Sequence, residues 1–344
     1  MPGVSAPDEA ARLPLPRSRL RRLAGAVNVG IVGTGFGQRV VAPAFAGIDG
    51  CRVVDVVSPR DRDAALALAS RADVDLVSIH SPPFLHAEHV RAALAAGKAV
   101  LCDKPFTPDV ATSEALAGEA VTAGVVHLVN FEFRYHPVRR LLRDLVHGGA
   151  LGDVQHVTWV HVSSGSRVPL RAYGWLFDAR RGGGWIGAWA SHAVDTVRFC
   201  LGEVVAARGW PRTDVTTRPD ADGALRECSA EDSLVASLTL ENGATVAIDS
   251  TFAAAVSVPP RLTVVGTEGA VDIVGDARAT LHRPGGLTEP LEVPRVAMGG
   301  DRHGAPMRAW AAAVCDIVTS GEVPDDAPTF ADGYACDVVL SALR

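Results

Sequence analysis

The chain has 344 residues, 48% hydrophobic and 21% charged, enough for two domains with a sizeable core. A net charge of −6 and a pI near 6.0 exclude a large basic footprint for nucleic acid. No apolar run approaches the length of a membrane span, and the six cysteines form no C-x-x-C pair or metal-ligand spacing, which fits free thiols in a reducing, cytoplasmic compartment.

Residues 1–26 carry several prolines and many arginines without an apolar segment, and read as a disordered extension. The β-branched run Val27–Val32 predicts a first strand. It leads into Gly33-Thr34-Gly35-Phe36-Gly37-Gln38, and the apolar spacing from Arg39 to Ile48 predicts a helix. Glycines on such a strand-to-helix turn let the backbone approach a pyrophosphate, although the third fingerprint glycine is replaced by Gln38. A second strand, Arg52–Val57, ends at Ser58-Pro59-Arg60. Ser58 and Arg60 stand where the ribose 2′-substituent is read and lean towards NADP; Asp55 lies within the run.

A helix is expected over Asp61–Arg71, then a strand over Val74–His80 closed by Ser81-Pro82-Pro83, and a helix over Phe84–Ala96. The histidines His80, His86 and His89 have no recognised metal-ligand spacing and suit capping or cofactor-facing roles; no metal site is expected. Val100–Cys102 reads as a buried strand stopped by Asp103-Lys104-Pro105, because proline fixes φ and lacks an N–H. In an open parallel sheet this puts Lys104 at the mouth of a site. A helix over Pro108–Ala123, a strand over Val125–Val129 and a helix over Val138–Val146 complete a doubly wound parallel domain.

The pattern then changes to successive strands over Val154–Val162, Val204–Trp210, Ser233–Leu240, Thr245–Thr251, Leu262–Val265 and Ala270–Val274. Asn242-Gly243 signals a hairpin between two of them. This predicts an α+β domain with a largely antiparallel open sheet. Helices are expected over Trp185–Leu201, Pro306–Ser320 and Tyr334–Leu343, and mobile loops over Pro211–Glu231 and His282–Gly304. The division reads 27–137 for the dinucleotide-binding domain and 138–344 for the substrate and oligomerisation domain, with the last helix able to pack back on the first. On the helix led by Gly182-Gly183-Gly184, His192 and Asp195 are three apart and share a face, where a carboxylate can orient an imidazole. Arg134, Tyr135, Tyr173, Trp175, Trp185 and Trp189 are candidates to surround a substrate, since aromatic faces suit a sugar ring.

Taken in order, the glycine turn, Ser81-Pro82-Pro83 with His86, Gly97-Lys98, Cys102-Asp103-Lys104-Pro105, the glycine-led Ser191-His192 and Asp195, and Pro328–Gly333 resemble the Gfo/Idh/MocA oxidoreductases from about Val27 to Arg344. The resemblance implies an enzyme that moves hydride between NADP or NAD and a carbinol or ketone of a carbohydrate-like or cyclic polyol. It implies a homodimer or homotetramer through the C-terminal sheet. Lys104 and His192 match the family's lysine and late histidine, the proton donor and acceptor groups. Gly33, Thr34, Gly35, Phe36, Gly37, Ser58, Arg60, Ser81, Pro82, His86, Asp103 and Lys104 would hold the cofactor, and Arg134, Tyr173, Trp175 and Asp195 the substrate. Three departures stand out: Ala188 where the family often has an acid, Asp103 for the usual glutamate, and a short segment over 61–75. They keep two alternatives open, a lyase or glycosidase that oxidises transiently on a retained NAD(P), and a catalytically silent nucleotide-binding regulator.

Overall fold

A computed structural model describes residues 25–294 and 301–344; most of the expected N-terminal extension lies outside the described residues. The described residues open with β1 (Val27–Val32), then a wide helical turn over Gly37–Val41 that continues as α1 (Ala42–Ala46). There follow β2 (Cys51–Val57), α2 (Arg62–Ser70), β3 (Leu76–Ile79), α3 (His86–Ala95), β4 (Ala99–Cys102), α4 (Val110–Ala123) and β5 (His127–Val129). The strands make a parallel sheet ordered β2-β1-β3-β4-β5. β1, β3, β4 and β5 are buried almost throughout, which their runs of Val, Ile and Leu allow. Asp61 and Asp109 cap α2 and α4 by accepting from the N–H groups of Ala64 and Thr112, and Gly124 ends α4 in the left-handed region. A single helix, α2, fills the short 61–75 segment.

After α5 (Pro137–His147) the topology changes as expected. β6 (Val154–Val162) is followed by a wide turn over Ile186–Ala190 into α6 (Ser191–Leu201). The remaining strands are β7 (Val204–Arg212), β8 (Thr217–Pro219), β9 (Leu225–Glu227), β10 (Ser233–Leu240), β11 (Thr245–Thr251), β12 (Arg261–Gly266), β13 (Ala270–Val274), β14 (Arg278–Arg283) and β15 (Leu287–Leu291). Seven of them join β6 in one eight-stranded sheet ordered β15-β14-β13-β12-β6-β11-β10-β7. It is mostly antiparallel but mixed, because β6 runs parallel to β11 at its centre. Asn242-Gly243 does close a hairpin: Ala244 N–H donates to Asn242 Oδ1, and Gly243 has φ +86°. The two expected loops hold structure that composition concealed. β8 and β9 pair within 211–231, and Arg218 on β8 is fully buried over the Phe177 ring, donating to Ser166. β14 and β15 extend the large sheet into the second loop, part of which lies outside the described residues.

The chain closes with α7 (Gly304–Ser320) and α8 (Phe330–Ala342). Residues 25–135 and 301–337 form one compact unit, and 136–294 with 338–344 a second. The division therefore differs from the expected 27–137 and 138–344, because 301–337 returns to the first unit. The reason is apolar: Met307, Trp310 and Val314 of α7 are fully buried in one cluster with Val29, Ile31 and Phe45. Burial of each such side chain is worth about 1.5–3 kcal/mol.

Candidate active site

In the first unit, β1 lies at the point where the strand order reverses, with β2 on one side and β3 on the other. Ligands of doubly wound sheets collect beyond the carboxyl ends of the strands at that point. A ladder ties those ends together. Gly33 N–H donates to Val57 O, His80 N–H to Val32 O, Asp103 N–H to Ile79 O and Asn130 N–H to Cys102 O. The loops after β1, β3, β4 and β5 thus leave the sheet side by side.

The glycine turn fits a dinucleotide. Gly33 has φ +149°, and a Cβ there would lie 2.7 Å from the His80 carbonyl, so only glycine serves. Gly35 is exposed and a Cβ on it would meet nothing, which leaves its backbone open to a pyrophosphate. The missing third glycine has a local explanation. Gln38 points to solvent, and Gly37 makes the close helix-to-strand contact instead: a Cβ there would be 3.0 Å from Ile31. Thr34 is exposed; Phe36 packs its ring near His80 and edge-on to His303, centroids 5.9 and 5.2 Å away.

After β2, the Ser58 hydroxyl accepts from the Arg60 N–H and the Arg60 side chain is exposed. Asp55 is paired with Arg71 at 2.7 Å. After β3, His80 is held on both sides: Nδ1 donates to Asp103 Oδ2 at 3.2 Å, and Nε2 lies 2.7 Å from the Ser78 hydroxyl. Since a carboxylate only accepts, the Nδ1 proton is assigned by this contact. His86 is placed as a strut. It is fully buried, with Nδ1 3.0 Å from Phe106 O and Nε2 2.7 Å from Ser81 O, so its ring joins the loops after β3 and β4 and is not offered to a cofactor. The buried Ser81 hydroxyl meets His89, and Pro82, partly exposed, precedes the turn into α3.

The Asp103–Lys104 loop is the electrostatic centre. Burial would raise the Asp103 carboxyl, but the His80 hydrogen bond and the His80 and Lys104 charges outweigh it and hold it at about 2. Asp103 Oδ1 accepts from the Lys104 N–H at 2.9 Å and from Asn130 Nδ2 at 3.4 Å. Burial pushes the Lys104 ammonium down from its ordinary value, opposed by the charges of Asp103 and Glu132. The chain has only two lysines among its 33 Lys and Arg residues. Lys98 is a half-buried brace to the Arg71 and Val74 carbonyls; Lys104 is the other. An amine can lose its proton near neutrality, and a guanidinium cannot.

Sequence reasoning missed three residues here. Asn130 is fully buried at the end of β5. Glu132, 1% exposed, accepts from His303 Nδ1 at 2.6 Å, and His303, which precedes α7, stacks on Phe133. The polar stretch Asn130–His136 was a visible signal, but its partner lies 171 residues away in sequence. Arg134, expected to meet substrate, is instead buried and bonded to Asp332 and the Asp326 carbonyl, where it anchors the entry to α8. Tyr135 stacks on Trp310.

In the second unit, His192 and Asp195 are both buried on α6. The glycine run explains how that helix is seated. A Cβ on Gly183 would lie 2.4 Å from the Trp175 carbonyl. Gly184, with φ +109°, makes room for the Glu231 carboxylate, which accepts from the Ile186 N–H at the helix start. Trp185 and Trp189 belong to the core: Trp185 stacks on Phe252 at 4.3 Å and donates Nε1 to Ser250, and Trp189 stacks on His161. Tyr173 and Trp175 remain partly exposed, and Ala188 sits in the wide turn before α6.

Residues 27–131 match the model of the oxidoreductase family with an NAD-binding Rossmann fold, and 139–272 match the GFO/IDH/MocA C-terminal domain. The chain belongs to the Gfo/Idh/MocA family of oxidoreductases. An uncharacterized oxidoreductase of Synechocystis sp., sll0816, is 30% identical over 296 residues, 78% of this chain and 79% of the relative. Levoglucosan dehydrogenase of Pseudarthrobacter phenanthrenivorans is 26% identical over 65% of this chain and 67% of its own. A solved structure of levoglucosan dehydrogenase with NADH and levoglucosan shares the fold, with a TM-score of 0.79, 23% identity, and coverage of 92% of this chain and 96% of that one. The first unit is accordingly the family's NAD-binding Rossmann domain. Among the described residues, no helix is long and apolar enough to cross a membrane.

Proposed function

We propose that this oxidoreductase moves hydride between a nicotinamide dinucleotide and a CH–OH or ketone carbon of a sugar-like or cyclic polyol substrate. The observation that carries the reading is Lys104 at the carboxyl end of β4. It is half-buried, fixed through Asp103, and lies on the loop neighbouring that of His80, which Gly33 and Phe36 of the glycine turn approach closely. When bound, the dinucleotide supplies the redox chemistry. Gly33, Gly35 and Gly37 would admit its pyrophosphate, and Ser58 and Arg60 its ribose.

In the oxidative direction the substrate hydroxyl must lose a proton as its carbon loses hydride. Lys104 Nζ takes that proton in its neutral form, and in reduction the ammonium returns it. His192 is the second proton-transfer group, oriented from its own helix face by Asp195. The absence of an acid at the end of β2, together with the exposed Arg60, favours acceptance of NADP as well as NAD. The cytoplasm is the compartment consistent with free thiols.

The test is titration of the purified protein with NADH and NADPH by fluorescence. A spectrophotometric panel follows, with levoglucosan, inositol, D-xylose and D-apiose, substrates taken from the names of relatives. Nicotinamide binding with turnover of a panel member is the expected result. Binding of neither nucleotide refutes the reading; binding without turnover of any polyol would favour the silent regulator.

A further inference from the structure

The pair of buried Glu132 and partly exposed His303 has no place in the scheme above, yet it stands beside its central residue. The geometry follows from the sheet. Cys102 pairs with Val129 at the ends of β4 and β5, so Lys104 and Glu132 lie two and three residues beyond paired positions on neighbouring loops. The negative charge of Glu132 acts on Lys104. Burying the Glu132 carboxylate is costly, and an apolar contact would join this loop to the start of α7 more cheaply. His303 also stacks on Phe133 and meets Phe36 of the glycine turn, which fixes the ring that fixes the carboxylate.

We propose that Glu132, oriented by His303, is a positioning residue for Lys104: a second carboxylate, besides Asp103, that holds the amine in place and sets its charge. The inference rests on the reading of Lys104 as the proton-transfer group. Among the groups whose charge acts on Lys104 are Asp103 on its own loop, Glu132 after β5, Arg302 before α7 and Cys336 on α8. Asp103 and Glu132 favour the ammonium and Arg302 opposes it. Loss of the Glu132 charge therefore weakens proton binding at Lys104.

The experiment needs neither substrate nor cofactor. Biosynthetic labelling with ε-13C-lysine gives two side-chain resonances, from Lys98 and Lys104, and Lys104→Arg assigns them. Each is titrated with pH by NMR in the full chain. In Glu132→Gln the Lys104 midpoint is expected to fall, with about a tenfold or larger rise in its acid dissociation constant, while Lys98 stays in place. His303→Phe, which keeps the stacked ring and removes the donor, should move the same midpoint in the same direction by less; it carries the test if Glu132→Gln does not fold. An unchanged Lys104 midpoint in a folded variant overturns the proposal, whatever the nucleotide titration shows. Failure to bind nicotinamide nucleotides would instead refute the functional reading and leave the measured shift intact.

Discussion

Lysine 104 is the residue on which the proposed chemistry rests, and its neighbours bear on that role. Asp103 is not an alternative base: held at about 2 by His80 and Lys104, it stays ionised and acts as an anchor. Replacing the amine removes the proposed proton carrier and leaves the glycine turn untouched. Lys104→Met is expected to lower kcat by ~10²–10⁴-fold with NADH affinity within a few-fold of the parent, read by turnover and fluorescence titration. The buried histidines make a separate prediction. Burial lowers His89 and His127 from 6.5 to about 4, so in that window the unfolded chain binds more protons than the folded one. Stability thus rises with pH between about 4 and 6.5 and is lost as pH falls through that range, with a slope of up to ~1.4 kcal/mol per unit for each group. Thermal melts across this range should show it. His127→Leu should flatten the slope, because both ring nitrogens of His127 are buried without hydrogen bonds and its ring lies 5.1 Å from Phe330.

Two glycine elements position the chemistry, and they differ in kind. At Gly35 an added Cβ meets no protein atom, so a side chain there would project into the space where the dinucleotide is proposed to lie. Gly35→Asp should leave the melting temperature within about 2 °C and weaken NADH binding at least ~10-fold, by placing a carboxylate against the pyrophosphate. At Gly183 the neighbours are backbone carbonyls that cannot step aside. Gly183→Ala should destabilise the protein by roughly 2–4 kcal/mol, measured by denaturant unfolding, since the start of the His192 helix must shift. The motifs at both glycine runs were legible because glycine signals a local conformational need. Their difference was not, because it depends on what lies within a few ångströms in space. Arg134 makes the same point: its place beside Tyr135 suggested substrate, and its ion pair with Asp332 makes it part of the scaffold.

At the scale of the molecule, the eight-stranded sheet buries one face and exposes the other. Register places Arg261, Val160, Asp249, Val235 and Trp210 in one row across β12, β6, β11, β10 and β7, and Val160, Val235 and Trp210 are 41%, 43% and 50% exposed. An apolar, partly charged face of this kind suits a second copy of the chain. A homo-oligomer through this face is our expectation, and Trp210→Glu combined with Val235→Lys should convert it to monomer by light scattering, with an unchanged circular dichroism spectrum. An oligomer that survives both changes would place the interface elsewhere.

By itself the sequence determined the succession of strands and helices in the first domain, the glycine turn between β1 and α1, and the place of Lys104 at a strand end. Each of these rests on interactions within a few residues: β-branched runs that extend, glycines that accept positive φ, a proline that stops a strand. Tertiary structure alone decided that β6 would lie parallel to β11, that α7 would return to the first unit, and that Glu132 would meet His303 beside Lys104. Those outcomes join distant segments: Glu132 and His303 are 171 residues apart, and α7 packs with β1 from near the opposite end of the sequence. Which segments meet is set by the burial of whole apolar faces, and no local pattern of residues encodes it.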